Sequence, residues 1–325
     1  MKKATKLALE KPEMVAVLLL LVLVVLFQAL SDGVFLNGAN LRGLLGLIPE
    51  MALIAIGVTL LMICGEFDLS VGSVFALMPM SMAVLLTQGW PFWVAFAAAW
   101  GVAAGIGMIN GLITLKFEIP SFITTLGMLF IARSLTVVIS GGFPPRLPED
   151  IPTHVFVAFV GPGDMLRMSF IWFLLIAFLF AFLLGRTNFG NWVRATGGFL
   201  PAARALGIPT MRVKLTCFIL SAMLAGLAGT IQVLRVGSPL PSIGEGLELQ
   251  AVAAAVIGGT ALTGGVGSIL GGIMGAALIR VIDNGMVLSR VDANWFKFAV
   301  GALTILAVVG NSWLRKRARA IRTEE

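Results

Sequence analysis

Two carboxylates and two hydroxyls interrupt an otherwise apolar stretch at Gly65-Glu-Phe-Asp-Leu-Ser-Val-Gly-Ser73. The chain has no Ser/His/Asp arrangement, no His-Glu-x-x-His pair and no Gly-Lys-Ser/Thr phosphate loop. His154 is the only histidine, and Cys64 and Cys217 sit in apolar runs without metal-type spacing. Catalysis, resident metals and cofactors are therefore not expected. What Asp68, Ser70 and Ser73 offer is charge and hydrogen bonding in apolar surroundings. A carboxylate at the centre of a membrane helix costs about 2.5–3.5 kcal/mol on insertion scales, and persists where it faces a cavity or a partner. The competing reading is local: Asp68 caps the helix that follows by accepting from its backbone N–H groups. Both readings stay open on the residues alone.

Other polar positions are weaker candidates. Asn110 and Asn284, each followed by Gly, read as helix-end residues. Glu245 and Glu248 flank Gly246 at the start of an apolar run, where a helix dipole favours acids. The glycines from Gly258 to Gly275 have the spacing that lets helices approach closely.

The elements that must position these residues are set by composition. Of 325 residues, 58% are hydrophobic and 12% charged, the latter about half the soluble norm. The expected fold is all-α, one polytopic transmembrane domain over residues 1–325. About ten spans are expected: 14–30, 44–64, 71–86, 92–115, 120–140, 168–184, 213–234, 248–262, 268–282 and 295–314. The break at 65–73 and the short eighth and ninth spans are candidates for broken or re-entrant helices, which membranes tolerate where backbone is buried in protein. The net charge of +7 is topogenic. Lys2, Lys3, Lys6 and Lys11 precede the first run, and Arg315, Lys316, Arg317, Arg319 and Arg322 follow the last. That places both termini in the cytoplasm and gives no reason to expect nucleic acid. The Pro-rich, base-poor loop 141–167 then faces outward.

The loop 186–214 carries Arg186, Arg194, Arg204, Arg212 and Lys214 and no acid, which marks it as cytoplasmic. Within it, Pro201-Ala-Ala-Arg-Ala-Leu-Gly207 has Pro for a first turn and Gly for a stop. A short helix is expected, swivelling on Gly197, Gly198 and Gly207. Ala202, Ala203 and Leu206 fall on one face of it, with Arg204 turned away. The two halves of the chain also echo each other weakly. Leu69–Met78 resembles 263–272 around Val-Gly-Ser, and Ile109-Asn-Gly resembles Asp283-Asn-Gly. Such a two-half repeat is common in transporters.

Several stretches together resemble one family, the permease subunits of ribose-type simple-sugar ABC importers. These are Gly65–Ser73, Pro120-Ser-Phe-Ile-Thr-Thr-Leu-Gly127, the loop from Ala195 to Ile208, Glu248-Leu-Gln-Ala-Val-Ala-Ala, Gly258-Gly-Thr-Ala-Leu-Thr-Gly-Gly265 and Asn284-Gly285. The resemblance covers about residues 40–310. Glu66, Phe199, Leu206 and Gln250 depart from the family's usual Gly, Asn, Ser and Asp. The resemblance implies a permease in the bacterial cytoplasmic (inner) membrane, surrounded by lipid and paired with a second permease chain as a homo- or heterodimer. It further implies a cytoplasmic ABC ATPase that docks on Gly197, Gly198, Ala202, Ala203, Arg204, Leu206 and Gly207, and a periplasmic solute-binding protein. Candidate pathway residues are Asp68, Ser70, Ser73, Asn110, Phe122, Thr124, Thr125 and Glu248. The solute is expected to be a simple sugar or related polyol. The alternatives are a permease for a nucleoside, signalling furanone or branched amino acid, or an ATP-independent transporter using Asp68 with Glu66.

Overall fold

The computed structural model describes residues 13–148, 151, 153–161, 167–292 and 294–323. The basic flank at Lys2, Lys3, Lys6 and Lys11 lies outside them, as does part of the expected outer loop. In chain order the helices are α1 (Glu13–Leu30), α2 (Gly38–Ile63), α3 (Val71–Thr87), α4 (Phe92–Lys116) and α5 (Ser121–Ile139). Then come α6 (Thr153–Phe159), α7 (Met168–Arg186), α8 (Asn188–Gly198), α9 (Leu200–Ala205) and α10 (Thr210–Val236). The chain ends with α11 (Leu247–Ile257), α12 (Ile269–Leu288) and α13 (Trp295–Thr323). No strand occurs among the described residues, as the need to satisfy backbone polar groups within each lipid-crossing segment dictates.

Six helices are long and apolar enough to cross a membrane: α2, α4, α5, α7, α10 and α12. Shorter apolar helices, within α1, α3, α11 and α13, stand where the other spans are expected. Three of the expectations need correction. The ninth span, expected to be short over 268–282, runs Ile269–Leu288 and is long enough to cross. The helix expected over 248–262 stops at Ile257, because the chain unwinds through Gly259, Gly264 and Gly265, all at positive φ. The basic loop contains a helix that periodicity did not suggest: α8, capped by the Thr187 hydroxyl, which accepts from Gly190 N at 3.3 Å.

α10 is the centre, packed on α4, α2 and α3. With α2 and α12 it buries most of its length, whereas α4, α5 and α7 leave most of theirs exposed. Small residues make this crowding possible. A Cβ on Gly229 of α10 would lie 1.8 Å from the Phe75 carbonyl oxygen on α3, so the two backbones touch. Polar ties add direction. Arg235 at the end of α10 grips Glu50 of α2 with both arms, at 2.8 and 3.1 Å. Asn40 and Asn284 exchange side-chain hydrogen bonds at 2.9 Å each, joining α2 to α12.

Candidate functional site

Between α2 and α3 the chain leaves helical geometry, and α5 takes over its hydrogen bonding. Phe67 N donates to Ser121 Oγ at 3.1 Å, and Leu69 N donates to Thr125 Oγ1 at 3.1 Å. The match is geometric. Two residues of extended chain advance about 6.7 Å and four residues of helix about 6 Å, so alternate N–H groups meet successive turns. One turn further on, Ser73 Oγ donates to Leu129 O at 2.8 Å. Thr125 also donates to Ser121 O at 2.8 Å, which fixes its rotamer.

Asp68 is fully buried at the centre of this first break. Its Oδ1 accepts from Ser70 N at 2.8 Å and from Ser70 Oγ at 2.6 Å. Asn110 of α4 donates to Ser70 Oγ at 2.9 Å and lies 3.5 Å from the same carboxylate oxygen. Ser70, the capping position of α3, makes no side-chain bond to the helix, and the carboxylate meets that helix end through Ser70 N. It ties its own turn to α4. Asp68 Oδ2, Asn110 Oδ1 and Thr124 Oγ1 have no hydrogen-bond partner among the described residues.

The candidate set divides. Asp68, Ser70 and Asn110 form one buried hydrogen-bonded group, while Ser73 and Thr125, also buried, bond to backbone across the contact with α5. Phe122, 54% exposed, lies on the open side of α5, and Thr124 is half-buried. Glu248, in the first turn of α11, comes against Gly72 at the start of α3. Arg133 completes that contact, and sequence reasoning passed over it. Its guanidinium donates to Pro241 O at 2.6 Å, Ile243 O at 2.8 Å and Gly72 O at 3.2 Å, holding the segment before α11 onto α3. Glu66 does not join Asp68. It forms an ion pair with Lys214 of α10, which removes the acidic pair that an ATP-independent transporter would use.

The basic loop is built differently from its expectation. Gly207, at φ 75°, does end α9 as a stop. Gly197 and Gly198 are not swivels: they close α8 and pack into the membrane body. Ala202 and Leu206 are exposed, Leu206 by 79%, and Phe199 by 67%. Ala203 is turned inward with 2% exposure, so it belongs to this chain's own packing and not to the outward face. Arg204 is exposed.

Comparison with known proteins agrees with this geometry. Residues 40–308 match the family described as branched-chain amino acid transport system / permease component. The L-arabinose ABC transporter permease of Azospirillum brasilense is 34% identical over 310 residues, covering 94% of this chain and 89% of that one. The ribose import permease of Escherichia coli K12 is 36% identical, covering 91% and 92%. The xylose/arabinose import permease of Sulfolobus acidocaldarius is 33% identical, covering 91% and 84%. A chain of apolar helices, broken twice and joined by a basic helical loop, thus belongs to that permease family, as a multi-pass membrane subunit of an ABC importer.

Proposed function

We propose that this permease conducts a simple sugar, or a polyol close to one, from a periplasmic binding protein to the cytoplasm. The observation that carries the reading is the buried polar group around Asp68 on the inner side of α5, in a chain similar to importers named for arabinose, ribose and xylose. α5 has two faces: one holds the first break, while the other is open and carries Phe122. The pathway runs along that open face, between this chain and a second permease chain, and Thr124 and Glu248 line its approaches. The Asp68 group sets the position of the wall.

The same reading fixes the orientation. The base-rich loop 186–214 and both termini face the cytoplasm, and 141–167 faces the periplasm. The exposed Phe199, Ala202 and Leu206 then offer an apolar face to a cytoplasmic ATPase, with Arg204 beside it. Ten segments enter the membrane, but α11 does not cross alone. Its 11 residues reach about 16 Å, half of a hydrocarbon core of about 30 Å. The segment 237–246, clamped by Arg133, supplies the outer half.

The test is uptake by the permease reconstituted with its ATPase and binding protein. Pentoses and hexoses should stabilise the binding protein in a thermal-shift screen and should enter vesicles only with ATP. Stabilisation by a branched amino acid alone would replace the sugar reading, and uptake without the ATPase would remove the importer reading. Asp68→Asn keeps an acceptor for Ser70 but removes the charge. It should reduce uptake while the complex still assembles; wild-type uptake would take the carboxylate out of the function.

A further inference from the structure

Five glycines from three parts of the chain meet at one point. A Cβ on Gly197 would lie 1.9 Å from the Ile63 carbonyl oxygen and 2.9 Å from Gly265 N. One on Gly264 would lie 2.7 Å from Gly197 O and 2.9 Å from the Gly65 Cα, and one on Gly265 2.6 Å from the Gly198 Cα. Gly265 N donates to Ile63 O at 2.8 Å. The end of α8 is thus wedged, backbone to backbone, between the break after α2 and the break after α11. Two charged side chains reinforce the wedge from either side. Arg194, one turn before the end of α8, donates to Gly267 O in the second break at 3.1 Å. Lys214, in the first turns of α10, pairs with Glu66 in the first break.

We propose that this junction carries movement of the cytoplasmic loop into both breaks at once, which makes Gly197, Arg194 and Lys214 positioning residues for transport. Side chains absorb displacement by changing rotamer, but touching backbones have none to change. Packed protein is poorly compressible and passes strain on. Tilting α8 therefore shifts Ile63 and Gly265 together, and Ile63 lies five residues from Asp68 along the first break. Lys214 draws Glu66, two residues before Asp68, in the same motion. The inference rests on the reading that loop 186–214 receives the ATPase, and the experiment separates the two.

The complex of permease, ATPase and binding protein is assembled in vesicles, and ATPase recovery by pull-down, ATP hydrolysis and solute uptake are measured on each variant. Gly197→Ala would place a Cβ 1.9 Å from the Ile63 carbonyl oxygen, closer than a folded chain allows, so the test rests on the charged ties. Lys214→Gln adds no bulk at the junction. It should lower solute per ATP several-fold without affecting recovery, and the exchanged pair Glu66→Lys with Lys214→Glu should restore it. Unchanged solute per ATP in Lys214→Gln, or no recovery in the exchanged pair, would overturn the proposal. Ala202→Asp, on the exposed face of α9, tests the underlying reading alone: it should abolish ATPase recovery, and normal recovery would mean that docking lies elsewhere.

Discussion

In the first break Phe67 N and Leu69 N find hydroxyls on α5, whereas the second break, residues 258–268, closes largely on backbone. There Thr260 N donates to Ala255 O and Ala261 N to Val266 O, each at 2.9 Å, and Gly264 N to Ala261 O at 3.1 Å. The first break buries a carboxylate and an amide; the second holds no acidic residue and crowds glycines against α12. The repeated Val-Gly-Ser shows the divergence at one residue. Ser73 lies inside α3 and reaches across to Leu129 O, while Ser268 stands before α12 and accepts from Gly271 N at 3.0 Å. Side-chain hydrogen bonds leave a segment removable from its neighbour, since a hydroxyl can exchange partners. Backbone contact leaves no such freedom. The first break is suited to rearranging internally, and the second to shifting as a unit without changing its shape.

Three substitutions sharpen that contrast, each read by thermal stability in detergent. The largest effect belongs to the second break. Gly258→Val places its Cβ 2.1 Å from Gly271 O, and we expect no folded protein to be recovered, since overpacking against backbone exceeds the usual few kcal/mol. Survival of this variant with wild-type stability would mean that the second break yields as easily as the first. Next is Thr125→Val, which keeps shape but strands Leu69 N. It should cost about 1–3 kcal/mol, the penalty for a buried unpaired donor, and an unchanged melting temperature would show that α5 does not hold the break. The smallest effect is Thr260→Val. Its hydroxyl is buried without a hydrogen-bond partner among the described residues, so removing it strands no other group and stability should not fall. A large loss would reveal a side-chain bond in the break assigned to backbone.

The long helices were legible because lipid leaves composition as the main signal, and the polar step at 65–73 stood out against it. The roles of particular small residues were not. A glycine needed for positive φ and one needed for close approach read alike in a sequence. Gly207 is the first kind and Gly197 the second. Helical spacing put Ala202, Ala203 and Leu206 on one face, yet spacing does not say which side of a short helix meets the rest of the chain, and Ala203 went inward. Arg133 did leave a signal: it is the only charged residue between 120 and 140, and an ionisable group inside a span is a functional candidate by default. Ser121 left none, because hydroxyls are common near helix starts.

The bond between Glu50 and Arg235 also bears on how the protein is made. The two residues are 185 positions apart, so at about 5–20 residues per second a ribosome reaches the arginine roughly 10–40 s after the glutamate. Until then α2 carries an unmatched carboxylate that bilayer insertion disfavours. Chains truncated before Arg235 should therefore stay bound to the insertion machinery while longer ones leave it.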